Sequence, residues 1–186
     1  MEDQFAHTAV AECDCDEARA VLAGVGSLTG MGFAAVARVT EDRSIACQVL
    51  DNIAFGLTAG GELDISMTIC DEIRQHGEEV VFNDAIDADW RLHPGPIFYG
   101  FKSYASFFIR LTDGKFYRTL CAIDAAHRKV SSREVVSIMR QLADRVAIMV
   151  EAHKGVAGSQ REIGDQAFSN LRSRASGGVA YFDGGD

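Results

Sequence analysis

The side chains here that could do chemistry are thiols, hydroxyls and a few carboxylates, and their spacing decides what each could do. Cys13 and Cys15 form a Cys-x-Cys pair that could ligate a metal or close a strained disulfide. A metal site needs about four ligands, and no matching Cys or His pair accompanies this one, so the two read as incidental thiols. Asp84, Asp87 and Asp89 suggest a calcium loop. The regular ligand ladder, the glycine at the sharp turn and the closing glutamate are missing, which leaves a solvated, N-capping loop. His93, set before Pro94, reads as a surface residue. No triad, paired-carboxylate or metal constellation at credible spacing supports hydrolytic chemistry. A mixed set of hydroxyls and a thiol remains on one stretch: Tyr104, Ser106, Thr119 and Cys121.

A hairpin must position that set. Residues Tyr104 to Asp124 are two runs rich in aromatic and β-branched residues around Asp113-Gly114, a strong hairpin signal because both turn positions need φ > 0. A two-residue turn sets Thr112 opposite Lys115, and alternation then sorts the side chains. One face carries Tyr104, Ser106, Phe108, Arg110, Tyr117, Thr119, Cys121 and Ile123. The other carries Ala105, Phe107, Ile109, Leu111, Phe116, Leu120 and Ala122, interrupted by Arg118. This second face reads as a helix-packing core. The first suits either a cavity holding something small or a core whose polar groups are satisfied.

The remaining elements follow from periodicity. Residues 1–15 are an acidic segment expected to be flexible. A helix is predicted from Asp16 to Leu28, ending near Gly26 to Gly30, then strands Phe33–Val39 and Ile45–Leu50 as a first hairpin. A glycine-containing loop spans 51–65. Thr68 and Asp71 form a capping-box-like start to a short helix that Gly77 ends, and Glu79–Phe82 is a further strand. After the central hairpin, Ser131-x-x-Glu134 opens a long amphipathic helix carrying Val135, Ile138, Met139, Leu142, Val146, Met149 and Val150. Residues 154–186 read as a flexible tail.

Composition narrows the function classes. At 186 residues the chain suits one domain with a tail, able to bury roughly 70% of its unfolded surface. A net charge of −9 and the lack of any basic run argue against a nucleic-acid partner. Five cysteines, an odd number without a secretory signal, read as reduced thiols in the cytoplasm. The longest apolar runs fall short of the ~20 residues a membrane helix needs.

The order of elements, with MTICDEIRQHGEEVVFNDAIDAD at 67–89, YGFKSYASFFI at 99–109, DGKFYRTLCAID at 113–124 and SSREVVSIMRQLADRVA at 131–147, resembles the GAF domain. GAF domains are small-molecule-binding sensory modules related to the PAS fold, and the similarity is nearest to those of bacterial sensor histidine kinases. It covers roughly residues 16–153. The resemblance implies an α+β fold: a central antiparallel sheet, N- and C-terminal helices on one face and a ligand pocket on the other. It implies pocket residues Tyr104, Ser106, Thr119 and Cys121 from the hairpin, with Cys70, Asp71, Trp90 and Tyr99 from the cover. Two positions depart from the family: Phe108, often proline, which could narrow the pocket, and Arg118, often glycine, which puts a charge on the helix side unless it snorkels at the sheet edge. Neither a bilin-anchoring Cys-His pair nor the NKFDE-like set linked with cyclic nucleotides is present, and no cofactor is identified.

Three functions fit the resemblance. The first is a non-catalytic sensory module of two-component type that binds a small molecule or partner protein and signals through helix or dimer rearrangement. The second is a cysteine-based enzyme of the free methionine sulfoxide reductase type. There Cys70, in the first turn of its predicted helix, would be the nucleophile beside Cys121, although Asp71 opposes a lowered thiol pKa and the family's cysteine spacing is absent. The third is a ligand-free dimerisation module with a collapsed pocket.

Overall fold

Alternation along the strands sorts this chain into a six-stranded sheet with one face for helices and one for a cavity. The structure, a computed structural model, describes residues 3–87, 89–114 and 116–153. The expected tail of 154–186 lies outside the described residues. The helices are α1 (Gln4–Ala11), α2 (Asp16–Thr29), α3 (Ile69–His76), α4 (Pro94–Tyr99) and α5 over 133–153. The strands are β1 (Phe33–Val39), β2 (Ser44–Asp51), β3 (Glu62–Leu63), β4 (Val80–Phe82), β5 (Ser103–Arg110) and β6 (Phe116–Asp124). They run in the order β3-β2-β1-β6-β5-β4, every neighbouring pair antiparallel.

The β5–β6 hairpin has the register that its Asp-Gly turn predicts from Ser103 opposite Asp124 to Ile109 opposite Arg118. Past Ile109 the ladder slips by one residue, so Arg110 pairs with Phe116 and not with Tyr117. Gly114 turns the chain at φ 78°, and its N–H donates to Leu111 O at 2.8 Å. On the helix side, Phe107, Ile109 and Leu120 pack with Val21, Leu22 and Val25 of α2 and with Met139, Val146 and Val150 of α5. Each of these large side chains contributes roughly 1.5–3 kcal/mol by leaving water.

Four local expectations change. The segment read as a flexible acidic lead-in contains α1, capped by the Asp3 carboxylate, which accepts from Phe5 N and Ala6 N. Ala9 of α1, and Cys13 just past its end, are fully buried in the helix-side core. Arg118 does not snorkel at the sheet edge. It is fully buried beneath α1, donating to Ala9 O at 2.9 Å and pairing with Glu12. Thr68 precedes α3 but makes no side-chain cap; its hydroxyl donates back to Ile65 O. Ser132, not Ser131, caps α5 by accepting from Val135 N, while Ser131 Oγ accepts from the Asn83 amide.

Between β4 and β5 lies α4, with the imidazole of His93 accepting from Gly95 N as its cap. Among the described residues no helix is long and apolar enough to cross a membrane.

Candidate functional site

Opposite α2 and α5, the sheet floors a partly open cavity. Its base is cut from small residues on adjacent strands, Ala35 and Ala37 of β1 and Ala46 of β2, beside Cys121 of β6. The cover is aromatic: Phe55 from the loop after β2 packs on Phe33 at 4.8 Å between ring centroids and on Tyr99 of α4 at 5.6 Å. Met67, Thr68, Ile69 and Cys70 close another wall as the chain enters α3. None of the lining side chains carries a formal charge at neutral pH apart from what a thiol can acquire. The free volume is about 50 Å³. Pockets for drug-sized ligands hold roughly 300–1,000 Å³, so the cavity accepts only a few heavy atoms unless its cover moves.

A polar cluster borders the cavity. Cys70 Sγ lies 3.3 Å from Tyr104 OH and 3.9 Å from Ser106 Oγ. A hydrogen bond from the Cys121 thiol is the main influence drawing Cys70 down to about 6; burial opposes it, and the Thr119, Tyr104 and Ser106 hydroxyls assist. Cys121 is pushed well up by donating to Cys70 and by burial, and its thiol also lies 3.5 Å from Ala35 O. Burial, then the two neighbouring thiols, push the Tyr104 hydroxyl well above the usual phenol range. The arrangement gathers two thiols and their neighbouring hydroxyls at the edge of the cavity.

The eight residues expected here divide evenly. Cys70, Tyr99, Tyr104 and Cys121 line the cavity. Ser106 and Thr119 share its face but lie fully buried behind it, with their hydroxyls toward Cys70. Asp71 turns away to Arg74 Nε at 2.9 Å and Gln75 Nε2 at 2.7 Å. Trp90 stacks on Phe82 at 6.1 Å and borders a separate surface groove with Glu72 and His76.

Phe108 does not narrow the cavity; its ring packs under the Arg110 guanidinium at 4.3 Å. The residues missed, Phe33, Ser44, Phe55 and Phe101 among them, come mainly from the first hairpin and its following loop. The pairing of Ala35 with Cys121 is the link that would have extended the cavity face onto β1.

No protein-family model matches the sequence, and no curated protein aligns with it. Solved structures do match in fold. The GAF domain of Thermosynechococcus elongatus PixJ, in its blue-light absorbing form, superposes with a TM-score of 0.63 at 9% identity, over 89% of this chain and 98% of that one. The GAF domain of a two-component sensor histidine kinase from Bacillus halodurans gives 0.60 at 12% identity, over 76% and 96%. The type II free methionine-R-sulfoxide reductase from Thermoplasma acidophilum gives 0.57 at 11% identity, over 80% and 96%. With its open six-stranded antiparallel sheet, helices on one face and a cavity on the other, the chain has the GAF-domain fold.

Proposed function

We infer that this protein is a non-catalytic sensory module whose cavity takes a small, uncharged ligand and passes its occupancy to the long helix. One observation carries the reading: an aromatic-roofed cavity whose wall offers no arginine, lysine, aspartate or glutamate. A phosphate or carboxylate there would be desolvated without a counter-charge. Cys121 and Ile123 touch the cavity while Leu120 and Ala122, between and beside them on β6, pack in the helix-side core. A ligand that displaces β6 therefore shifts the bed on which α5 rests, and its differential affinity for the two arrangements is the signal.

Native mass spectrometry of protein purified from its own cells, compared with the denatured mass, tests this. Extra mass lost on denaturation supports the reading, and Ala46→Leu, which fills the cavity floor, removes that mass while the protein stays folded. A bare mass that stays bare across a panel of uncharged metabolites refutes it in favour of a ligand-free association module.

A second reading, a thiol-based reductase, is favoured by the Cys70–Cys121 pair and its lowered Cys70 thiol. Reduction of free methionine sulfoxide in the presence of a dithiol, lost in Cys70→Ser, is its test; no turnover by the parent protein removes it.

A further inference from the structure

The cavity wall carries one buried polar group for which the fold supplies no partner. Ser44 opens β2, and its side chain shares the cavity face with Ala46. Ile45 and Cys47, which alternate with them, belong to the helix-side core. The side chains facing Ser44 are apolar: Val39 of β1 and Leu63 of β3 lie directly opposite it, and Ala37 lies opposite Ala46.

Ser44 is only 4% exposed, and its hydroxyl makes no hydrogen bond among the described residues. The other buried hydroxyls of the wall are engaged. Thr68 donates to Ile65 O at 3.0 Å, and Tyr104 OH lies 3.3 Å from Cys70 Sγ. Buried polar groups are nearly always paired, so a hydroxyl left over on a cavity wall marks a place where a bound molecule completes the pairing. Water is a poor substitute at this spot. It needs about two to four polar partners, and the side chains of Val39, Ala46 and Leu63 supply none.

We propose that the Ser44 hydroxyl is the polar anchor of the cavity's ligand, and that the ligand is a short neutral molecule with one hydrogen-bonding oxygen, as in a ketone, aldehyde or alcohol, and an apolar remainder. This anchor deepens the pocket reading and rests on it. A serine hydroxyl donates to a carbonyl oxygen, and with an alcohol it takes either role. The remainder of the molecule lies over the methyl groups of Ala37 and Ala46 beside Leu63, where a further polar atom would be desolvated without a partner. The free volume of about 50 Å³ holds it to a few heavy atoms.

Acetone and its hydrocarbon isostere isobutene test this on the full chain. Binding is read from the methyl resonances of isotope-labelled alanine, because Ala35, Ala37 and Ala46 all line the cavity. In the unsubstituted protein acetone shifts these resonances, and its methyl protons show Overhauser contacts to Ser44 and Ala46. In Ser44→Ala acetone binds roughly tenfold more weakly, the equivalent of one neutral hydrogen bond, while isobutene binds at least as tightly as before. Ala46→Leu blocks both probes.

Two results overturn the anchor and leave the pocket reading standing: acetone contacts confined to the Phe101 and Ile123 end of the cavity, or an equal effect of Ser44→Ala on both probes. No shift by either probe overturns the pocket reading and the anchor with it. The Overhauser contacts in the unsubstituted protein decide the matter even if Ser44→Ala fails to fold.

Discussion

Removing the charge of Glu12 should harm this protein more than removing the charge of Arg118, although the two form one ion pair. The Arg118 side chain is 0% exposed, whereas that of Glu12 is 25% exposed. In Glu12→Gln the guanidinium stays buried, keeping Ala9 O and Cys13 Sγ but losing that carboxylate. Breaking a buried pair from one side costs roughly 3–5 kcal/mol, and the retained contacts place this case near 3. In Arg118→Met an apolar chain of similar length fills the space, and Glu12 can turn its carboxylate to water, so the cost falls to about 1 kcal/mol. The double variant should resemble Arg118→Met alone, giving a coupling of roughly 2–3 kcal/mol. Urea denaturation followed by circular dichroism reads this as a shift in midpoint at constant slope. If Glu12→Gln costs under about 1 kcal/mol while Arg118→Met costs over about 3, the guanidinium does not depend on Glu12 and the asymmetry argument is wrong.

Two further outcomes follow from local geometry. Burial raises the Asp51 carboxyl, but the N–H groups of Gly56, Phe55 and Ile53 together outweigh it and hold the group below the usual carboxylate range. Its contribution is therefore present above the unfolded aspartate pKa and lost as pH falls through the native value; hydrogen-exchange protection of Ile53, Phe55 and Gly56 should drop in acid, and Asp51→Asn should show low protection at every pH. Gly95→Ala would set a Cβ 2.6 Å from Met67 O, a backbone atom that cannot swing aside, and should cost about 1–3 kcal/mol, whereas Gly24→Ala in α2 meets nothing within 4 Å and should stabilise by about 0.5–1 kcal/mol; thermal melts of the two should move in opposite directions.

What the sequence made legible was whatever depends on alternation. Asp113-Gly114 fixed the register of β5 and β6, and the two faces read from it are the two faces found. The slip past Ile109 was not readable, because a bulge changes no composition. Helix α1 was hidden by the acidic residues around it, yet Phe5, Ala9 and Cys13 recur at intervals of four on one side, behind an Asp3 cap; that was the signal available.

At the site, sharing a strand face with the cavity proved different from reaching it. Ser106 and Thr119 lie on the correct face, but the cover closes on Tyr104 and Cys121 and leaves them sealed behind. Asp71 and Trp90 depended on the rotation of α3 and on the path of 83–100, which short apolar spacings leave free. The cavity walls from Phe55 and Phe101 depended on long-range packing that no local pattern encodes.

The sheet's two borders have a consequence for behaviour at high concentration. Its outermost strands are β3 with two residues and β4 with three, flanking inner strands of seven to nine. An open sheet is vulnerable to fibril-like growth because a bare border templates another strand, and the vulnerability scales with the length of the border. The two border strands are themselves too short to hold a foreign strand in register, so any growth through backbone pairing would have to use the parts of β2 and β5 that they leave uncovered.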